Sequence, residues 1–125
     1  MTCGGGFVGN RATSGGGVDI SGKVHGTFTD TTFADNASPA GQGGGLNVDG
    51  GTADIVDAMF DGNWADSRGG GLNVDGGASV TATRVTFEDN FAHAGGAASN
   101  SGGSLSLIEC DLRSNTADAG GGGLY

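Results

Sequence analysis

Apolar residues along this chain fall into short runs of period two, and the runs return at a fixed interval. "FVGN" begins at Phe7, "FADN" at Phe33, "FDGN" at Phe60, "FEDN" at Phe87 and "LRSN" at Leu112, with successive offsets of 26, 27, 27 and 25 residues. Counting back from these anchors gives columns. Two residues before stand Thr31, Ala58, Val85 and Cys110; five before stand Phe28, Ile55, Ala82 and Leu107; seven before stand Gly26, Ala53, Val80 and Leu105. Alternation holds at the two outer columns, slips by one residue, and resumes at the two inner ones. A period of two marks a strand whose alternate side chains enter a core, and the slip predicts a corner between two strands.

Beyond each asparagine come a short polar stretch, a glycine cluster (15–17, 43–45, 69–71, 95–96, 120–123) and a new apolar residue: Val18, Leu46, Leu72, Ala98 or Leu124. "VDI" and "LNV" at these places predict a third short strand. A unit of about 27 residues with three short strands and no helix excludes leucine-rich and ankyrin units and predicts one coil of a parallel β-helix. The expected fold is therefore an all-β solenoid of roughly four coils of 25–27 residues with partial terminal coils. Such coils stack about 4.8 Å apart and are stable only against their neighbours. The phrase "GGGLNVDGG", at 43–51 and again at 69–77, fits this scheme. Asp49-Gly50-Gly51, Asp75-Gly76-Gly77 and Ser101-Gly102-Gly103 align. An Asp or Ser before Gly is turn chemistry, repeated because corners stack.

Composition sharpens this picture. The chain has 29 Gly among 125 residues and one Pro. β-Branched and aromatic residues are spaced evenly between the glycines, which opposes disorder. With 14 Asp+Glu against 5 Lys+Arg the formal charge is −9, which argues against nucleic acid or an anionic membrane as partner. No apolar run approaches the ~18 residues of a membrane span, so no membrane insertion by this segment is expected.

The pairing of F-x-x-N with G-G-[AGL]-[LIV], from Phe7 to Tyr125, resembles the repeat of the chlamydial-type polymorphic outer membrane proteins. Those are similar to the wider pectin-lyase-like right-handed β-helix class. The resemblance implies a right-handed coil and an exported, extracellular or outer-membrane surface passenger of adhesive type. Its expected partners are a glycan or a surface protein, and no cofactor. This chain shows neither the barrel nor the export signal of that family, and it starts at Met1 and stops at Tyr125 inside a coil. It therefore reads as a single β-helix domain over residues 1–125, a piece of a longer protein. Uncapped coils at both ends predict end-to-end self-association.

Four columns carry candidate chemistry. Asn10, Asn36, Asn63, Asn90 and Asn115 predict a ladder of stacked amides. Asp49 and Asp75 share a corner on adjacent coils and form a weak candidate cation pair, although the calcium nonapeptide repeat does not match; solvated turn carboxylates are the favoured reading. Asp30, Asp57, Arg84 and Glu109 face outward three residues before the anchors. The lyase-like relatives use calcium-binding carboxylates and an Arg or Lys base, so this column supports the alternative of a carbohydrate-acting β-helix fragment; a lateral salt-bridge ladder is favoured. Trp64 and Phe91, each directly after a ladder asparagine, turn outward on adjacent coils, with Arg68 and His93 just beyond. Paired surface aromatics suit sugars and protein partners alike, and these four residues form the candidate binding patch. His25 and His93 fall in different columns. Cys3 is placed before the first coil and Cys110 in an inward column, too far apart for a disulfide.

Overall fold

A computed structural model describes residues 2–125. Met1, read above as the mid-strand entry to the first coil, lies outside the described residues. The chain opens with β1 (Thr2–Val8), and the next circuit holds β2 (Val18–Ser21), β3 (His25–Ala34) and β4 (Ala37–Ser38). Two further circuits follow as β5 (Leu46–Asp49), β6 (Thr52–Val56), β7 (Met59–Asp61), β8 (Trp64–Ala65) and β9 (Leu72–Asp75), β10 (Ser79–Thr83), β11 (Thr86–Glu88), β12 (Phe91–Ala92). The last is β13 (Ala98–Asn100), β14 (Ser104–Ile108), β15 (Asp111–Arg113) and β16 (Thr116–Ala117).

These strands make an all-β parallel solenoid of about four turns. One eight-stranded sheet runs β14-β10-β6-β3-β7-β11-β15, with β1 on β3; two four-stranded sheets run β16-β12-β8-β4 and β13-β9-β5-β2. Every pairing is parallel and one coil apart: Phe87 stands opposite Phe60, Val80 opposite Ala53, and Leu72 opposite Leu46. The coils from β5 onward have four strands rather than the three read from periodicity, and in the coil before them β3 spans the places of two. The additional one is the two-residue strand after the ladder asparagine, too short to show a period.

Left-handed backbone recurs at the corners, and two of its columns carry residues other than glycine. The first is Asp30, Asp57, Arg84 and Glu109, with φ of 50–53°. Here two successive side chains point outward, and this is the slip in the alternation. The second column immediately precedes the ladder asparagines: Gly9 (67°), Asp35 (53°), Gly62 (64°), Asp89 (53°) and Ser114 (56°). A left-handed residue there turns the chain from the wide sheet into the two-residue strand. Gly and Asp tolerate that conformation best, which explains the third letter of "FADN", "FDGN" and "FEDN".

The glycine clusters are a close-packing device. A Cβ on Gly70 would lie 2.5 Å from the carbonyl oxygen of Gly96 in the next coil and against that of Phe91. Only glycine lets the loops pack at strand spacing there.

The interior is an aromatic stack walled by aliphatic residues. Phe33 and Phe60 lie face to face with centroids 4.4 Å apart, and Phe60 and Phe87 follow at 4.8 Å, with interplanar angles of 4° and 9°. Phe7 continues the stack at 5.2 Å, and Phe28 meets Phe33 edge-on at 5.4 Å. The spacing is that of the strands which carry the rings.

Beside the rings runs the amide ladder. Asn63 accepts at Oδ1 from the backbone N–H and Nδ2 of Asn36, at 3.1 and 3.0 Å. Its own Nδ2 donates to Phe33 O at 2.8 Å and to Asn90 Oδ1 at 2.9 Å. The same links join Asn10 to Asn36 and Asn90 to Asn115. An asparagine amide has two acceptor sites and two donors, and Asn63 uses all four.

A second polar column corrects the simple alternation. Asn47 points away from the hydrophobic interior, yet it is only 6% exposed. Its Nδ2 donates to Asp19 Oδ1 at 2.7 Å, and its Oδ1 accepts from Asn73 Nδ2 at 2.9 Å. Gln42 also reaches Asn73, accepting at 2.8 Å. Gln42 comes from the loop before β5, and both Asn47 and Asn73 are buried. Ser99, next in the column, is too short to continue the chain; its Oγ and Asn73 Oδ1 are both buried without a hydrogen-bond partner.

Candidate functional site

The ladder asparagine points inward, the next residue outward, and the alanine after it inward. Trp64 and Phe91 therefore stand directly opposite each other across β8 and β12, each half-buried, above the buried Ala65 and Ala92. Their column begins with Arg11 and Ala37 and ends with Thr116. Strand pairing on both sides fixes the relative position of the two rings.

The other two residues of the predicted patch behave differently. Arg68 pairs by its backbone with Ala94, but its guanidinium crosses to the next coil and donates to Ser101 Oγ. It thus serves the corner after β13, away from the rings. His93 is exposed, one residue beyond the β12 strand. The patch comes down to the two rings, with His93 at its rim.

The residues bordering the rings are acidic. Asp35 and Asp89, both exposed, occupy the left-handed column two residues before the ring column. Asp35 leans across to the Trp64 coil: a Cβ on Gly62 would stand 2.7 Å from Asp35 Oδ1. On the other border Asp66 and Asp118 are exposed at positions equivalent to His93.

The corner column reads as a charge ladder. Arg84 grips Asp57 with two bonds, Nε to Oδ1 at 2.7 Å and Nη2 to Oδ2 at 2.9 Å. The hydrogen bond from Arg84 holds the Asp57 carboxyl below its ordinary range, with desolvation opposing it and the guanidinium charge adding to it. In turn Asp57, with a further contribution from Glu109, raises Arg84 above the usual guanidinium value. A base must give up its proton before it can take another, and this pairing disfavours that step.

Asp49 and Asp75 are register partners on β5 and β9. Asp75 Oδ1 accepts from the Gly76 N–H at 2.8 Å, which is turn capping. Among the described residues no group of three or more His, Cys, Asp or Glu side chains is arranged to hold a metal ion.

Sequence reading missed one cluster. His25 Nδ1 lies 2.6 Å from Thr52 Oγ1, and its Nε2 lies 3.3 Å from Asp54 Oδ2, across β3 and β6. His25 and Thr52 share a column, so the signal was there once the register was known. Both residues border a cleft of about 220 Å³ with Lys23, Val24 and Gly51. The cysteines are free, but Cys3 corrects the expectation: it lies within β1, opposite Phe28, and packs against the core. A register shift between Cys3 and Gly5 moved it into the column. Cys110 is half-buried, with its thiol 3.3 Å from Ala82 O.

No family model, no curated protein and no solved structure matches this chain.

Proposed function

We propose that the chain is a non-enzymatic β-helical scaffold of the adhesin or passenger type, displayed outside the cell or on the outer-membrane surface. In this reading its repeat belongs with that of the polymorphic outer membrane proteins and the pectin-lyase-like right-handed class, and the Trp64–Phe91 face is where a partner binds. The observation that carries it is the pairing of those rings in register on an outward column. Each buried amide and stacked ring beneath them holds the platform rigid, so little ordering cost falls on association. The test is a glycan array and a pull-down from host-cell surface extract, run with the wild-type chain and with Trp64→Ser/Phe91→Ser. The reading expects binding lost in the variant with the melting curve nearly unchanged. Binding unaltered by the double substitution returns the rings to local packing.

A carbohydrate-acting role is the second reading, favoured by the position of Arg84 beside Asp57 and in the same column as Glu109. It requires cleavage of a uronate-containing polysaccharide that Arg84→Ala abolishes. The doubly bonded, fully protonated guanidinium makes the scaffold reading the stronger of the two.

A further inference from the structure

We infer that the Trp64–Phe91 face takes a cationic partner, an extended peptide segment bearing lysine or arginine; this rests on the binding-face reading above and names its ligand. The border of the rings is acidic. Asp35 and Asp89 flank them on one side, and Asp66 and Asp118 flank them on the other, all four exposed. None of these four is among the carboxylates paired with a cation in the structure: the ion pairs engage Asp54, Asp57, Glu88 and Asp111.

The nearby basic groups do not offset this charge. Arg68 spends its guanidinium on Ser101, and Arg11 lies two coils away at the start of the column. Arg113, whose carbonyl accepts from the Asp89 N–H, turns its guanidinium to Glu88 and Asp111. An aromatic face with a carboxylate border presents two attractions to the same guest. The ring quadrupole draws a cation over the face, and the carboxylates accept its N–H donors. An anionic glycan meets only repulsion there, and a neutral one gains nothing from the charge. The whole chain, at −9, steers in the same direction.

The rings lie one coil apart along the solenoid axis, about 4.8 Å, so one cationic side chain can cover both. A peptide fits better than a small amine because an extended segment repeats its same-face side chains every ~6.8 Å, which carries the next cation to the bordering carboxylates. Glycine at 62 and the lean of Asp35 over it leave a carboxylate, rather than a bulky side chain, beside Trp64.

Trp64 is the only tryptophan, so its fluorescence reports occupancy directly. The probes are an oligolysine and an oligoarginine peptide, with oligoglutamate of equal length and a neutral cello-oligosaccharide for comparison. Calorimetry covers the variants that lack Trp64. Two variants of the intact chain are used, Trp64→Ser/Phe91→Ser and Asp35→Asn/Asp89→Asn. Asparagine tolerates the left-handed backbone at 35 and 89, so the second variant keeps the fold while removing charge. The inference expects the oligocations to bind, to weaken at least about tenfold in each variant, and to weaken further with salt. If the neutral oligosaccharide binds through the rings and the oligocations are indifferent to them, the cationic inference falls and the binding face stands. If no probe responds to the ring substitutions, and the pull-down above is equally indifferent, both fall. Oligocation binding that depends on total charge but not on Trp64, Phe91, Asp35 or Asp89 also overturns the inference.

Discussion

Asn63 donates its backbone N–H and its side-chain Nδ2 to one oxygen, Asn90 Oδ1, at 3.0 and 2.9 Å. The main chain of one coil and its side chain thus converge on a single acceptor in the next. The Asn63 side chain also holds Phe33 O and both donors of Asn36, so one amide ties four groups in three coils.

Truncating it should be costly. Asn63→Ala takes from Phe33 O its side-chain donor, and from the Asn36 N–H and one of the two Asn36 Nδ2 hydrogens their acceptor, and should cost ~3 kcal/mol or more. Asn47→Ala, which alternation alone marks as harmless, should cost about 1 kcal/mol because Asn73 loses one acceptor but keeps Gln42. Urea melts of the two variants check the order; equal losses would contradict this account of the two columns.

The left-handed column before the ladder makes a separate prediction. Ser114 has φ of 56°, where a Cβ is unfavourable and glycine is free. Ser114→Gly should be more stable than Ser114→Ala by about 1 kcal/mol. Thermal melts of this pair decide it, and a more stable alanine variant would mean the corner relaxes.

Asp57 supplies the pH dependence. Its folded carboxyl titrates below the ordinary value of 3.8, through the hydrogen bond and charge of Arg84. A depressed carboxyl binds fewer protons folded than unfolded, so its stabilisation is present above the unfolded value and is lost as pH falls through the folded one. The window therefore lies at and below 3.8, and the effect is small because both groups are solvent-exposed. Carboxyl NMR titration of Arg84→Ala should show the Asp57 midpoint rising towards 3.8. An unmoved midpoint would remove Arg84 as the cause.

As a 125-residue polypeptide the chain is expected to stack end to end. A hollow of about 340 Å³ lies among Leu105, Leu107, Leu124 and Tyr125 at one end of the solenoid, and Leu124 is 51% exposed. The charge of −9 opposes association, and screening within ~8 Å at physiological salt relieves it. Light scattering should show mass rising with salt. A monodisperse monomer at every salt concentration, with both terminal coils protected from hydrogen exchange, would rule this out.

The repeat was legible because its columns are written in residues that tolerate little substitution: Phe at the ring stack, Asn at the ladder, Gly at the close approach. Periodicity also located the first corner, since an extra outward residue at Asp57 or Arg84 breaks the count. It failed where a side chain acts across coils. Nothing in the local sequence of Asn73 reveals that Gln42 reaches it from the preceding coil, and nothing near Arg68 reveals its reach to Ser101. The second left-handed column is spelled in Gly, Asp and Ser before each asparagine, but those residues are equally ordinary loop residues. The β1 bulge hid Cys3, because a column count assumes an unbroken register.

The amide ladder also has a sense, like an arrow drawn along the solenoid axis. From Asn10 to Asn90, each asparagine sends its protons forward to the oxygen of the next, and none sends them back to the preceding asparagine. Whatever adjoins the coil of Asn115 in register must offer an oxygen, and whatever adjoins the coil of Asn10 must offer hydrogens. A coil laid on in reverse would set donor against donor. Growth of the solenoid, by more chain or by a second molecule, is thereby one-way: heads meet tails, never heads.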